Sequence, residues 1–364
     1  MTHLPGRHQY VDRDSARVVT ERLIADSLIN QLYARSREDS SLLFKAATSL
    51  RMSAVLGFLN FDLPLPGRQR AIRSRIRALG IDVDECLEDP DSLNTPRKLF
   101  ERQIRYWQCR PIPAAVDRIV SPADARMIAG SFDRHSSLFL KEKFFSFPEL
   151  LGEDKPQWLR TFNGGDFAIF RLTPDKYHYN HLPVSGQVAD IYEISGSCHS
   201  CNPGAVVSQV TPYSKNRRGV TIIDTDVPGG TGVGLVAMIE IVAMMIGDIV
   251  QCYSIHGYDD PLDIGTGMFL ERGRPKSLYR PGSSVDVLIF QPHRVVFSED
   301  ILANMQRQDV TSRFTRHFRA PLVETDVKVR SEVGKKLIVQ SSKAKGESEK
   351  RRVQGAKGSR VQEL

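Results

Sequence analysis

The sequence predicts an α+β protein: a helical N-terminal region at residues 1–110, a β-rich domain of mainly antiparallel sheet at 111–340, and a disordered basic tail at 341–364. Three observations carry this reading. Apolar residues recur at helical spacing between about 15 and 60. Beyond about 110, short apolar runs alternate with Gly, Pro, Asn and Asp. After about 339, large apolar residues nearly vanish.

The helical spacing runs through Val18, Leu23, Ile24, Leu28 and Leu32, then Leu42, Leu43, Ala46 and Leu50, and continues over 68–79 and 96–107. The segment Arg110-Pro111-Ile112-Pro113 punctuates the chain and marks a boundary. The β-type runs that follow are FAIFRL, GQVADIYEI, AVVSQV, GVTIID, LVAMIEIVAMMIGDIV, SVDVLIF and HRVVF. In the tail, seven basic residues against three acidic ones leave a charge of +4, with too little apolar surface to build a core.

The 364 residues, 41% hydrophobic and 26% charged, are enough for one large or two ordinary globular domains. The net charge of +7 favours an acidic partner without selecting one. Five cysteines, an odd number, and an N-terminus without an apolar signal core point to a reducing cytoplasm. The most apolar run, 235–250, is broken by Glu240 and Asp248 and falls short of the roughly 20 residues of a membrane span, so any membrane contact is expected to be peripheral.

Three segments could carry chemistry. SPADARM holds Asp124, YHYNHLP holds His178 and His181, and RPGSS holds Gly282, Ser283 and Ser284. Together they supply a carboxylate, two imidazoles and a hydroxyl, the parts from which a serine is activated by a histidine that a carboxylate orients. Taken singly, each also has an ordinary reading as a turn, a loop start or a packed histidine.

Their order resembles the phosphatidylserine decarboxylase family across most of 97–338. The collinear pieces are Leu99, Phe100, Arg105 and Arg110-Pro111-Ile112, then IVSPADARM, LFLKEKFFSFPELLG, FNGG, RLTPDKYHYNHLPVSGQV, KNRRGVTII, EIVAMMIGDI and RPGSSVDVLIF. The resemblance implies that His181, oriented by Asp124, deprotonates Ser283, whose oxygen attacks the Gly282 carbonyl. The chain then parts between 282 and 283, and a covalent pyruvoyl group derived from Ser283 remains at the head of the C-terminal piece. That ketone would form a Schiff base with the substrate amine and accept the electrons left by departing carbon dioxide, with no metal. His178 would protonate the resulting carbanion. The implied substrate is phosphatidylserine, with the two fragments staying associated, a peripheral membrane contact and a homodimer as further expectations.

Tyr179, Lys176, Pro281 and Ala125 depart from the family pattern beside these groups, which leaves open a soluble, tryptophan-like amino-acid decarboxylase of the same fold. A non-catalytic β-rich binding module is a third reading, ranked below both because Asp124, His178, His181 and Ser283 are all present. Cys198 and Cys201 form a CxxC without a second pair, and a structural role is expected. The run GGTGVG at 229–234 is followed by apolar, β-branched residues rather than a helix, against a phosphate loop. The tail lacks the interleaved aromatics of a nucleic-acid binder.

Overall fold

The computed structural model describes residues 7–23, 26, 68–138, 143–208, 211–243, 248–282 and 284–338. The strands among them are β1 (Gln9–Asp12), β2 (Val18–Thr20), β3 (Arg118–Val120), β4 (Ala125–Ser131), β5 (Asp166–Leu172), β6 (Tyr179–His181), β7 (Gly186–Ile194) and β8 (Arg218–Asp224). They continue with β9 (Leu235–Val242), β10 (Ile249–Gln251), β11 (Phe269–Leu270), β12 (Pro275–Tyr279), β13 (Ser284–Phe290), β14 (Val295–Phe297), β15 (Glu324–Val327) and β16 (Glu332–Lys336).

Ten strands join one sheet in the order β11-β7-β8-β9-β13-β5-β4-β15-β1-β2, and two three-stranded sheets have the orders β10-β12-β6 and β14-β16-β3. Neighbours pair antiparallel except β1 and β15. The expected α+β class with mainly antiparallel sheet is therefore what the chain adopts.

Both faces of the large sheet are covered, which is why its strands read as nearly continuous apolar runs rather than as alternating ones. Ala168, Phe170 and Leu172 of β5, with Met238 and Val242 of β9 and Leu288 and Phe290 of β13, form one buried layer with Tyr279, Tyr253, Leu182 and Phe297. Phe167, Ile169, Ile239, Ile241, Val285, Val287 and Ile289 point the other way, against Phe147, Leu150, Phe162, Val206, Tyr213 and Phe314. Those partners lie on or between the short helices Phe147–Leu151, Pro156–Phe162, Pro203–Ser208, Pro212–Lys215 and Arg313–Phe318. The helices thus cover one face, while the strand carrying His181 lies over the other.

Some local expectations are corrected. Val18 lies in β2, whose hairpin with β1 joins the large sheet, so the chain before residue 21 is extended rather than helical. The run AVVSQV begins in a helix, Pro203–Ser208. Pro203 presets its first turn, and Asn202 accepts a hydrogen bond from the Gly204 N–H at 2.8 Å, two start signals that outweigh the β-branched pair. The stretch 96–107 gives two short helices, Pro96–Phe100 and Tyr106–Cys109, instead of one. The run 235–250 supplies β9 and β10, and among the described residues no helix is long and apolar enough to cross a membrane. The helical pattern over 24–67, Asp26 excepted, and the basic tail lie outside the described residues.

A buried ion network ties the N-terminal hairpin to the sheet. Arg171 of β5 donates to Glu324 of β15 at 2.9 and 2.7 Å and to Glu21 at 2.9 and 2.6 Å, while His8 Nε2 lies 2.7 Å from Glu324. Burial alone would raise the Glu324 carboxyl, but Arg171 and His8 hold it well below the usual range. Arg171→Met strands two carboxylates in the interior and should lower unfolding free energy by about 3–5 kcal/mol in a denaturant titration. Adding Glu324→Gln should recover part of that loss by removing one of the unpaired charges.

Candidate active site

The short strand β6 presents Asn180 and His181, with His178 just before it, because it pairs with β12, with Tyr179 opposite Leu278 and Asn180 opposite Ser277. The Tyr279 N–H donates to the His178 carbonyl at 3.1 Å, and the His181 N–H donates to the Pro122 carbonyl at 2.7 Å. The second bond ties β6 to the loop that carries Asp124.

His181 is fully buried, with Nδ1 2.9 Å from the Gly273 carbonyl and Nε2 2.9 Å from the Tyr177 hydroxyl. A carbonyl only accepts, so the Nδ1 bond assigns the proton there and leaves the Nε2 lone pair facing Tyr177. Gly273 has φ +77°, and a side chain there would meet Ile112 at 2.5 Å, so the carbonyl that orients His181 depends on a glycine. Burial pushes His181 down to about 3, although the Gly273 hydrogen bond favours the charged form.

His178 is also fully buried, its ring stacked on Phe100 at 3.5 Å between centroids with the planes 14° apart. Burial and then the Arg102 guanidinium push it well below 6.5, so both imidazoles are neutral. The Thr173 carbonyl is near enough to favour protonation of His178, but no bond of proper geometry is made.

Asp124 does not hydrogen-bond to His181. Its oxygens accept from Arg110 at 3.1 and 2.8 Å and from the Val329 N–H at 2.8 Å, and Arg110 is shared with Glu85 at 2.7 and 2.8 Å. Burial would raise Asp124, but Arg110 outweighs it and holds the carboxyl at about 2. The carboxylate acts on His181 through its field, while Gly273 and Tyr177 fix the ring.

Beneath β6 lies a polar cluster that the sequence reading passed over. Glu240 of β9 and Asp286 of β13 are register partners on the buried face. Lys276 reaches Glu240 at 2.5 Å, Asn180 reaches it at 3.2 Å, and Ser277 also bonds to it. Tyr279 donates to Asp286 at 2.8 Å. Burial and the neighbouring Glu240 charge raise Asp286 well above the carboxylate range, whereas Lys276 overcomes burial and keeps Glu240 low. The available signal was a carboxylate interrupting each of two apolar runs. Tyr177, Gly273, Arg110 and Phe100 were missed as well, since only the fold brings them to the histidines.

Gly282 and Ser284 are buried, and Ser284 opens β13 opposite Val242 and Leu172. Ser283 lies outside the described residues. Around this point five buried polar atoms have no hydrogen-bond partner among the described residues: both His178 ring nitrogens, Asn180 Oδ1, Ser284 Oγ and Asp286 Oδ2. Buried polar atoms are normally satisfied, and orphans gathered at one place mark a site that a polar group or substrate completes. A ketone at position 283 fits that setting. The other two signals lie elsewhere: Cys198 and Cys201 are buried, Cys201 within the helix-side apolar layer, and GGTGVG forms the connection between β8 and β9.

The neutral histidines carry a stability consequence. The unfolded chain binds protons on them below about pH 6.5 and the native chain does not, so stability is lost as pH falls, by up to about 1.4 kcal/mol per unit for each ring. His178→Phe, which keeps the stack on Phe100, should flatten the dependence of urea-unfolding stability between pH 6.5 and 4 by about 1 kcal/mol per unit. Identical slopes for the two proteins would mean that His178 titrates normally in the fold.

The phosphatidylserine decarboxylase family model matches residues 97–316, well over half of the chain. Among curated relatives, the phosphatidylserine decarboxylase proenzyme of Fusobacterium nucleatum is 26% identical over 310 residues, covering 82% of this chain and 93% of that protein. The proenzyme of Chlamydia trachomatis is 28% identical over 298 residues, 80% of this chain and 90% of its own. Phosphatidylserine decarboxylase proenzyme 2 of Oryza sativa subsp. japonica is 30% identical over 231 residues, 62% of this chain and 34% of the plant protein. With Asp124, His178, His181, Gly282 and Ser284 all inside the matched span, the chain belongs to the phosphatidylserine decarboxylase family.

Proposed function

We propose that the chain cleaves itself between Gly282 and Ser283 and uses the pyruvoyl group left at 283 to decarboxylate phosphatidylserine to phosphatidylethanolamine. One observation carries this reading: two neutral, fully buried histidines, one with both ring nitrogens unpartnered among the described residues, lie on the segment bonded to β12, the strand that runs up to Gly282.

His181 is the base. Its Nε2 lone pair becomes free when Tyr177 turns its hydroxyl proton toward the Tyr258 oxygen, 2.7 Å away. Tyr258 can accept that proton because its own is donated to the Ile104 carbonyl at 2.9 Å. The imidazole then takes the Ser283 hydroxyl proton, and the oxygen attacks the Gly282 carbonyl, exchanging amide for ester. The field of ionised Asp124 favours the imidazolium as it forms. Loss of the Ser283 α-proton expels the Gly282 carboxylate, and water releases ammonia from the dehydroalanine end.

The pyruvoyl ketone supplies an electrophile for the substrate amine and a sink for the electron pair that carbon dioxide leaves behind. His178 keeps an N–H that no acceptor among the described residues claims, and delivers it to the carbon that lost carbon dioxide. Sheet pairing keeps the pieces together after cleavage, because β13 is bonded to β5 and β9 and β15 to β4 and β1.

Intact-mass measurement with a carbonyl-trapping reagent tests this directly. The wild type should give fragments 1–282 and 283–364 that co-purify, the trap adding only to the second. Ser283→Ala and His181→Ala should stay full length. His178→Ala should cleave yet release carbon dioxide from phosphatidylserine at least about 100-fold more slowly. A full-length wild type with an ordinary serine, or turnover of free amino acids in place of the lipid, would overturn the proposal.

A further inference from the structure

A cavity of about 370 Å³ opens beside the histidine site, lined by Arg274, Arg330, Tyr106, Leu87, Trp107 and Ile255 among others. The ring of Tyr106 forms its floor, lying 4.8 Å from the His181 ring on one side and 4.8 Å below the Arg330 guanidinium on the other. We propose that this cavity holds the phosphodiester of a membrane phospholipid, with Arg274 and Arg330 gripping the phosphate and Leu87, Trp107 and Ile255 seated in the bilayer interface. The assignment rests on the lipid reading of the substrate given above.

Charge and strain point the same way. Arg330 has no ion-pair partner among the described residues; its Nη1 donates to the Tyr106 carbonyl at 2.9 Å, while its buried Nε has no hydrogen-bond partner there. Its backbone is left-handed, φ +68°, a conformation that costs folding energy for any residue but glycine and that here aims a guanidinium into the cavity wall. Arg274 is held by Glu271 at 3.0 Å, and Arg330 is depressed chiefly by burial, with the nearby charge of Arg274 adding to it. An anion between the two guanidiniums would offset their repulsion. Among the described residues Asp259 is the only carboxylate in the lining, and arginine's planar fork suits phosphate.

The rim is apolar. Leu87, Trp107 and Ile255 are 44, 49 and 40% exposed, three of the seven large hydrophobic side chains that the described residues leave exposed. An aromatic beside aliphatic side chains above a cationic base suits the headgroup boundary of a bilayer, where the ring sits at the level of the phosphates. The serine amine of the substrate is only a few bonds from its phosphorus, so a phosphate above Tyr106 leaves the amine on the histidine side.

Trp107 is itself the probe, since the chain has two tryptophans and the other, Trp158, is bonded to Asp190 at 2.8 Å away from the cavity. Vesicles of phosphatidylglycerol with brominated chains should quench its emission in the self-processed, full-length protein, and Trp107→Phe should abolish most of that quenching. Arg330→Gly removes the guanidinium while fitting the left-handed backbone better than the native residue, so a misfolded variant is not the expected outcome. Combined with Arg274→Gln, it should raise the lipid concentration for half-quenching about tenfold or more. It should also raise KM for phosphatidylserine in mixed micelles more than it lowers kcat per cleaved chain.

Unquenched Trp107 or an unchanged titration in the double variant would overturn the site. A wild type that is quenched but decarboxylates nothing would leave the site standing and remove the reaction. One that decarboxylates phosphatidylserine without quenching would do the reverse.

Discussion

The rest of the structure depends on β13 being hydrogen-bonded along its whole length on both sides, to β9 and to β5, in the middle of a sheet buried on both faces. Seven consecutive residues from Ser284 are fixed in register, and Gly282, two residues before them, is buried as well. A strand so enclosed does not slip, since a shift by one residue would turn Val285, Val287 and Ile289 out of the helix-side layer and bring Asp286 into it. The turn joining β12 to β13 thereby starts beside the histidine segment, with the Tyr279 N–H bonded to the His178 carbonyl. A bond broken at 282–283 would cut a connection and leave every ladder intact.

Two aspartates show how environment sets charge around this point. Asp124 and Asp286 are both buried, yet Asp124 stays ionised at about 2 while Asp286 is raised well above the carboxylate range. Burial costs each carboxylate several kcal/mol. Arg110, in bidentate contact with Asp124, offsets that cost together with Lys176 and the Val329 N–H, a charge pair at about 4 Å being worth about 4 kcal/mol at an effective dielectric near 20. Asp286 has only a tyrosine hydroxyl and faces the charge of Glu240, which Lys276 has already claimed. The histidines have no carboxylate partner of their own, so burial wins and they remain neutral, the state in which an imidazole can take a proton or donate one.

These groups also explain why the site is built on β6 rather than on a loop. Asn180, between the two histidines, is anchored from below by Glu240 and Ser277, and Tyr279 binds the His178 backbone. A buried charged cluster is a costly support, and its best-attested use is to specify one arrangement over others. Here it fixes the strand that holds both imidazoles against the sheet.

The sequence by itself determined the class of fold and the family resemblance, because apolar periodicity and short ordered motifs are local properties of the chain. It misread Val18 and AVVSQV, where sheet pairing and a proline start signal outweighed the apolar pattern. Tertiary structure alone decided who orients whom. Asp124 went to Arg110, fourteen residues away, and Gly273, ninety-two residues from His181, took the role of fixing its ring. Hydrogen bonds form between whatever donors and acceptors the packing leaves within about 3 Å, and that proximity is set by strand register rather than by spacing along the chain.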